Sequence, residues 1–390
     1  MRETFLPFSP PLIGQGEIDE VVDTLRSGWI TTGPKTKRFE QEFAEAVQAE
    51  DALALNSCTA GMHLALLAHG VGPGDEVITT AWTFSSTVNV IEHVGARPVV
   101  VDVEVDTLNI DPRRVAAAIN NRTKAIIPVH FAGHPVDLST INALAARHDL
   151  HVIEDAAHAI GSETEGQPIG GGDNLCSFSF YATKNLTTGE GGMLSGPAEL
   201  LDRARILSQH GMSREAWTRY RNGGSARYDV IAPGFKYNLS DIQSSLGLSQ
   251  LRRLGDMQQR RREVVDAYNR AFGGIDVLET PAARHGITHA WHLYVVRLAE
   301  GGLTIDRDTF LLELAKRNIG GSVHFVPIPL LSYYRDRYGW TLDKLPVIKR
   351  NHERTISLPL SPTLSDRDVA DVIDAVLDTV STHRRTGVAA

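Results

Sequence analysis

From residue 51 the chain alternates short apolar runs with longer stretches in which apolar and polar positions recur at helical spacing. The runs ALALN (52–56), EVITT (76–80), RPVVV (97–101), KAIIPV (124–129), LHVIE (150–154), LCSFSF (175–180) and GGML (191–194) read as strands. Helical patterns fill most of the gaps, at 60–69, 86–94, 112–119 and 138–148. This alternation predicts an α/β fold, a mostly parallel seven-stranded sheet with helices on both faces. Chemistry then belongs beyond the carboxyl ends of the strands. Ahead of the sheet, residues 14–27 place Ile18, Val21, Val22 and Leu25 on one helical face, with a stop at Gly28. A second helix carries Phe39, Phe43 and Val47.

Residues 211–236 break the rhythm, being rich in Gly and Arg with scattered aromatics, and predict a long ordered loop of the kind that binds something. One or two long helices over 239–270 lead into a smaller α+β domain, with a strand at 291–298, helices near 306–318 and 366–380, and a polar tail after about 381. The expected division is a large α/β domain over 1–250, including the N-terminal helices, and a C-terminal domain over 251–390.

With 390 residues, 42% of them hydrophobic and 22% charged, the chain has ample material for this core. A formal charge of −8 offers no global basic field, so nucleic acid and membrane surfaces are not expected partners. The start, MRETFLPFSPP, lacks the apolar run of a secretion signal, and no stretch reaches membrane-spanning length without charges. With Cys58 and Cys176 as its only cysteines, the expected location is the cytoplasm.

The junction after the first strand, NSCTAGMHLALL, has one glycine and fits neither G-x-G-x-x-G nor a P-loop. It does suit a single phosphate, with Thr59 as N-cap and donor and the amides of Ala60 and Gly61 beside it. The histidines His148, His151 and His158 straddle a strand and do not suggest a metal, nor is there H-E-x-x-H or G-x-S-x-G. VIEDAAHAIGS ends a buried-looking strand with Glu154 and Asp155, and SFSFYATKNLTTGEGGMLS (177–195) follows the next strand with Lys184. Taken singly, Thr59 reads equally as an ordinary helix cap, Asp155 as the cap of a following helix, and Lys184 as a solvated lysine. Together they are the set that pyridoxal 5'-phosphate requires: a Schiff-base lysine, an acid for the ring nitrogen, and hydroxyls and amides for the phosphate. Ser179 lies on the same strand end as a further phosphate donor.

These motifs, with SGWITTGPKTKRFE, GFKYNLSDIQSSLGLSQL and SLPLSPTLS, resemble the DegT/DnrJ/EryC1/StrS sugar aminotransferases, pyridoxal-phosphate enzymes of fold type I, over nearly the whole chain. The resemblance implies that Lys184 forms the Schiff base, that Asp155 pairs with the pyridine nitrogen, that His158 packs on the cofactor, and that Phe84 of the T-F-x-x-T segment stacks on its ring. It assigns Thr59, Ala60 and Ser179 to the phosphate. Asn238 would reach the phosphate of a neighbouring subunit, making a homodimer with composite active sites. A relative that dehydrates sugars carries histidine at the lysine position, so Lys184 favours transamination.

The resemblance further implies an amino group taken from L-glutamate and given to the keto carbon of a nucleotide-linked sugar. Arg221, Arg227 and Lys236 are expected near its diphosphate, Trp29 as a wall of the sugar site, and His324 at the substrate side. The segment NIGGSVHFVPIPLLSYYRDRYGW is similar to that of members aminating C4 of a 4-keto-6-deoxyhexose. A C3-keto sugar or keto-cyclitol is the alternative substrate within the fold. A regulatory protein that binds the cofactor without turnover is the alternative outside it.

Overall fold

The computed structural model describes residues 2–213 and 229–385. One 7-stranded sheet forms the centre, built from β1 (Asp51–Leu55), β2 (Glu76–Thr80), β3 (Arg97–Val101), β4 (Thr123–Ile127), β5 (His151–Asp155), β6 (Leu175–Ser179) and β7 (Gly192–Gly196). Their spatial order is β1-β7-β6-β5-β4-β2-β3, and each coincides within a few residues with an apolar run of the sequence. The runs were legible because central strands lose water on both faces: all of β2, for example, is buried.

β7 runs antiparallel to both neighbours while the other pairs are parallel. The cause is its connection. Residues 180–191 carry no helix, so the chain returns as a hairpin instead of crossing over. This turn holds Lys184.

Helices α1 (Gln15–Ser27) and α2 (Pro34–Val47) precede the sheet, and α3 (Cys58–Ala68), α4 (Ser85–His93), α5 (Pro112–Ala118), α6 (Leu138–His148) and α7 (Ala198–Leu207) cover it. Phe39, Phe43 and Val47 of α2 are buried against Phe178 and Phe180 of the β6 end. The α1 helix departs from the expected burial. Glu17 and Thr24 face inward, and the Glu17 carboxylate accepts from Gly14 N, Ser249, Gln250 and Arg253. Ile18 and Leu25 are left 49% and 54% exposed.

The expected helical link is two helices, α8 (Asp241–Arg252) and α9 (Leu254–Phe272). A 3-stranded antiparallel sheet of Leu278–Glu279, Tyr294–Leu298 and Thr355–Leu358 follows, with helices Arg307–Lys316 and Asp366–His383, the latter running slightly past the expected start of the tail. Tyr268, Phe272, Tyr294, Phe310, Ile356 and Val376 share a core of their own, which Leu6 joins from the other end of the chain by bridging to Ile319.

Candidate active site

The two acids at the end of β5 are sent to different tasks by strand alternation. Glu154 accepts from Asn174 at 2.8 Å and faces His130 Nε2 at 2.9 Å. Since His130 Nδ1 accepts from Val136 N, its Nε2 carries the proton that Glu154 receives. Asp155 is buried toward the carboxyl edge of the sheet, where Oδ2 accepts from Thr87 Oγ1 at 2.7 Å and Oδ1 from Ala157 N at 3.1 Å. Burial pushes its carboxyl above the usual range, opposed by these donors and by Lys184 and His130. It caps only its own turn, since no helix follows, and among the described residues it has no ion pair.

Lys184 is held from both sides in sequence. Ser9 Oγ donates to the Thr183 carbonyl at 3.3 Å, and Asn185 Nδ2 donates to the Ala290 carbonyl at 2.7 Å. The loop between strands is thereby clamped to the N-terminal segment and to the C-terminal region. Its amine makes no hydrogen bond among the described residues, and desolvation lowers its pKa to about 8 against the attraction of Cys58 and Asp155. A solvated surface lysine would keep its ordinary pKa.

The phosphate cradle differs from the sequence expectation. Ser57, not Thr59, is the N-cap of α3, and its Oγ accepts from Ala60 N at 3.1 Å. Gly61 N donates to the Ser57 carbonyl at 3.2 Å. The amides of Ala60 and Gly61 are therefore already occupied, and those of Cys58 and Thr59 are the ones without an intrahelical acceptor. Gly61 packs tightly against β6: a Cβ there would meet Ser177 Oγ at 2.3 Å. The Thr59 hydroxyl takes no protein partner among the described residues, and Ser179 Oγ only accepts a long bond from Tyr181 N at 3.4 Å. Gly192, opposite Ser179 in the ladder, lets β7 approach this turn, since its Cβ would lie 2.5 Å from Cys58 N.

His158 Nδ1 accepts from Ala132 N at 3.2 Å, so its Nε2 is the protonated, donating nitrogen. Burial keeps the ring neutral, well below its ordinary pKa. Phe84 is the N-cap of α4 and 60% exposed as a residue, its ring 6.1 Å from that of Phe325, which in turn stacks 5.8 Å from His158. His324 donates to or accepts from Ser357 Oγ at 2.8 Å, and burial beside Lys184 lowers its pKa to about 4. His148 and His151 take no part: His151 stacks on His69 at the opposite end of β5.

Sequence reasoning missed three groups here. Thr87 is the acid's hydroxyl donor. Phe325 links Phe84 to His158. His292 lies with its ring 4.3 Å from His158, its Nδ1 at 3.2 Å from Asn185 Oδ1, and its pKa pushed well down by burial. Thr87 had a signal, the four-residue spacing from Thr83 within T-F-x-x-T; the other two come from distant parts of the chain.

The remaining candidates lie apart. Asn238 bridges to Leu55, its Nδ2 donates to Thr32 Oγ1 at 2.6 Å, and its buried Oδ1 has no partner among the described residues. Trp29 is exposed, with Nε1 donating to the Thr32 carbonyl at 3.2 Å. Lys236 is exposed beside them, while Arg221 and Arg227 lie outside the described residues. Asp241 ties this region together by accepting from Gly33 N, Lys35 N and Thr36 N, capping α2 from α8.

Among the described residues, a buried acid without an ion pair, a desolvated amine without a hydrogen bond, and an unclaimed hydroxyl on a helix N-terminus form one donor set. It fits pyridoxal phosphate: an amine for the aldehyde, a carboxylate for the ring nitrogen, and the Thr59 hydroxyl with the first amides of α3 for the phosphate.

Comparison with known proteins agrees. The model of the DegT/DnrJ/EryC1/StrS aminotransferase family matches residues 11–377. The chain is 51% identical to the spore coat polysaccharide biosynthesis protein SpsC of Bacillus subtilis, covering 97% of this chain and 98% of that one. Among solved structures it is similar to the putative sugar aminotransferase Spr1654 of Streptococcus pneumoniae in its PMP form, at TM-score 0.91 and 39% identity over 97% of this chain and 99% of that one. The PLP form of that protein matches at TM-score 0.90. DesV of S. venezuelae, solved in complex with a ketimine intermediate, matches at TM-score 0.87 and 31% identity, covering 96% of this chain and 99% of that one. The chain therefore belongs to the DegT/DnrJ/EryC1/StrS aminotransferase family and is a sugar aminotransferase that uses pyridoxal phosphate.

Proposed function

We propose that the enzyme moves an amino group from L-glutamate to C4 of a nucleotide-linked 4-keto-6-deoxyhexose, working as a homodimer with composite sites. The observation that carries the catalytic part is the Lys184 amine, desolvated to a pKa of about 8 against the attraction of Cys58 and Asp155. A neutral amine in reach of neutral pH both attacks a carbonyl and carries a proton. Pyridoxal phosphate, when bound, supplies the aldehyde and the electron-withdrawing ring that make a carbon-bound proton removable. Lys184 would hold the cofactor by its aldehyde and, as a free amine, would take and return the proton at the substrate carbon. Asp155 would keep the ring nitrogen protonated, and His158, whose Nε2 carries its proton, would serve as a donor to the cofactor. Thr59, Ser179 and the first amides of α3 would hold the phosphate.

For the dimer, the support is the exposure of Ile18, Leu25, Trp29 and Ile30, together with an Asn238 Oδ1 that has no partner among the described residues. For the substrate, it is the segment from Asn318 to Trp340 and the relative named for polysaccharide biosynthesis. His324 and Trp29 would line the sugar, and Arg221, Arg227 and Lys236 the diphosphate. The division into a cofactor domain (1–250) and a C-terminal domain (251–390) belongs to this reading. A reducing, cytoplasmic setting suits its two unpaired thiols.

The test starts from the pyridoxamine form of the enzyme, prepared with glutamate, and adds dTDP- or UDP-linked 4-keto-6-deoxyglucose. Return of the lysine-bound cofactor spectrum with a 4-amino product is expected. Turnover of a C3-keto sugar or a free keto-cyclitol alone would overturn the substrate assignment.

A further inference from the structure

The T-F-x-x-T segment contributes more than its phenylalanine. Thr83 Oγ1 and Thr87 Oγ1 lie 2.8 Å apart, one helical turn from each other, and Thr87 Oγ1 lies 2.7 Å from Asp155 Oδ2. All three side chains are buried. An ionised carboxylate only accepts, so the Thr87 proton belongs to Asp155. Thr87 then has only lone pairs to offer Thr83, whose proton must point toward it. The direction of the chain is fixed: Thr83 donates to Thr87, and Thr87 donates to Asp155.

We propose that Thr87, polarised by Thr83, is the positioning residue that keeps Asp155 ionised and aimed. This inference rests on the assignment of Asp155 to the cofactor's ring nitrogen. A carboxylate stripped of water favours its neutral form, and a neutral acid would surrender its hold on the ring proton. The other groups facing it do not replace Thr87. Ala157 N donates to the other oxygen, and Cys58 Sγ stands 3.9 Å from that same oxygen while giving a shorter contact, 3.3 Å, to the Ser177 carbonyl. His130 is engaged by Glu154, Cys176 is a buried thiol that adds no donor to Asp155, and the Lys184 amine is committed to the cofactor aldehyde. A hydroxyl donating to a charged acceptor is worth more than a neutral pair, and a relay of two strengthens the final bond.

The placement explains why the aromatic and the two threonines share one segment. Phe84 begins α4 and Thr87 lies in its first turn, so the ring that covers the cofactor face and the donor that sets its acid are positioned by the same four residues.

The experiment uses holoenzyme reconstituted with cofactor labelled with nitrogen-15 in the ring. Its nuclear resonance reports protonation of that nitrogen directly, and cofactor affinity is measured alongside. In the wild type the ring nitrogen stays protonated across the stability range. Thr87→Val is expected to lose that proton as pH rises within this range and to bind cofactor about tenfold more weakly. Thr87→Ser restores both, and Thr83→Val shows the same changes at smaller size. Should Thr87→Val fail to fold, the Thr83→Val and Thr87→Ser pair carries the test. Asp155→Asn separates the two layers. A ring nitrogen unchanged in Asp155→Asn removes the underlying assignment. A change there, with Thr87→Val and Thr83→Val like the wild type, overturns the relay alone.

Discussion

Asp155 and Asn238 are both polar side chains near the carboxyl edge of the same sheet, and one chain finishes them to different degrees. Around Asp155, donors arrive from α4 and from its own turn, and the lysine opposite is clamped by bonds on either side. Around Asn238, the Oδ1 is buried without a partner among the described residues, and Trp29, Ile30, Leu25 and Ile18 of the N-terminal segment lie exposed in the chain described. The first region contains its chemistry within the fold. The second has the composition of a surface made to be covered, which the proposed dimer would supply.

The sharpest way to break this contrast is at the lysine. Lys184→Ala is expected to abolish transamination and to leave no cofactor bond that borohydride can trap; a trapped bond elsewhere in the chain would remove Lys184 from the centre. The unaltered enzyme offers a milder version. Capture of cofactor by the apo protein needs the neutral amine, so its rate should rise with pH and level off above about 8, where the lowered pKa of Lys184 lies. Below that point each pH unit should cost about tenfold in rate, as stopped-flow absorbance can follow. A rate still climbing through pH 10 would mean an amine as solvated as any on the surface.

The open region should respond differently. Ile18→Asp combined with Leu25→Asp alters two side chains that are 49% and 54% exposed in one chain, where such changes cost little. In a dimer that covers them, the same changes bury unpaired charges, and association should weaken by about a hundredfold or more. Sedimentation would then show monomers whose folded stability is near that of the parent. A dimer that persists would place the interface elsewhere and leave the α1 face unexplained.

The contrast also tracks what could be read in the sequence. The strands were legible because central parallel strands bury both faces and become unbroken apolar runs, and Lys184 and Asp155 because they stand where such runs end. The α1 face had the right period, but periodicity alone does not say what covers a face; here Glu17, satisfied by Ser249, Gln250 and Arg253, turns the polar side inward. His292 and Phe325 meet His158 only through tertiary folding, so no local pattern marked them. Ser57 and Thr59 are both of a capping type, two positions apart, and no local pattern makes the choice between them.

That choice gives the smallest effect and a direct view of the cradle. Ser57→Ala removes the acceptor of Ala60 N at the start of α3, and loss of such a cap costs about 1 kcal/mol in denaturant unfolding of the apo protein. The freed amide then joins those of Cys58 and Thr59, facing the space assigned to the phosphate. An anion there would accept from it and favour the positive end of the helix. The destabilisation should therefore shrink when unfolding is repeated in excess inorganic phosphate or with cofactor bound. Equal losses with and without the anion would mean that the first turn of α3 points its amides elsewhere, and that the cofactor's phosphate is held by side-chain hydroxyls alone.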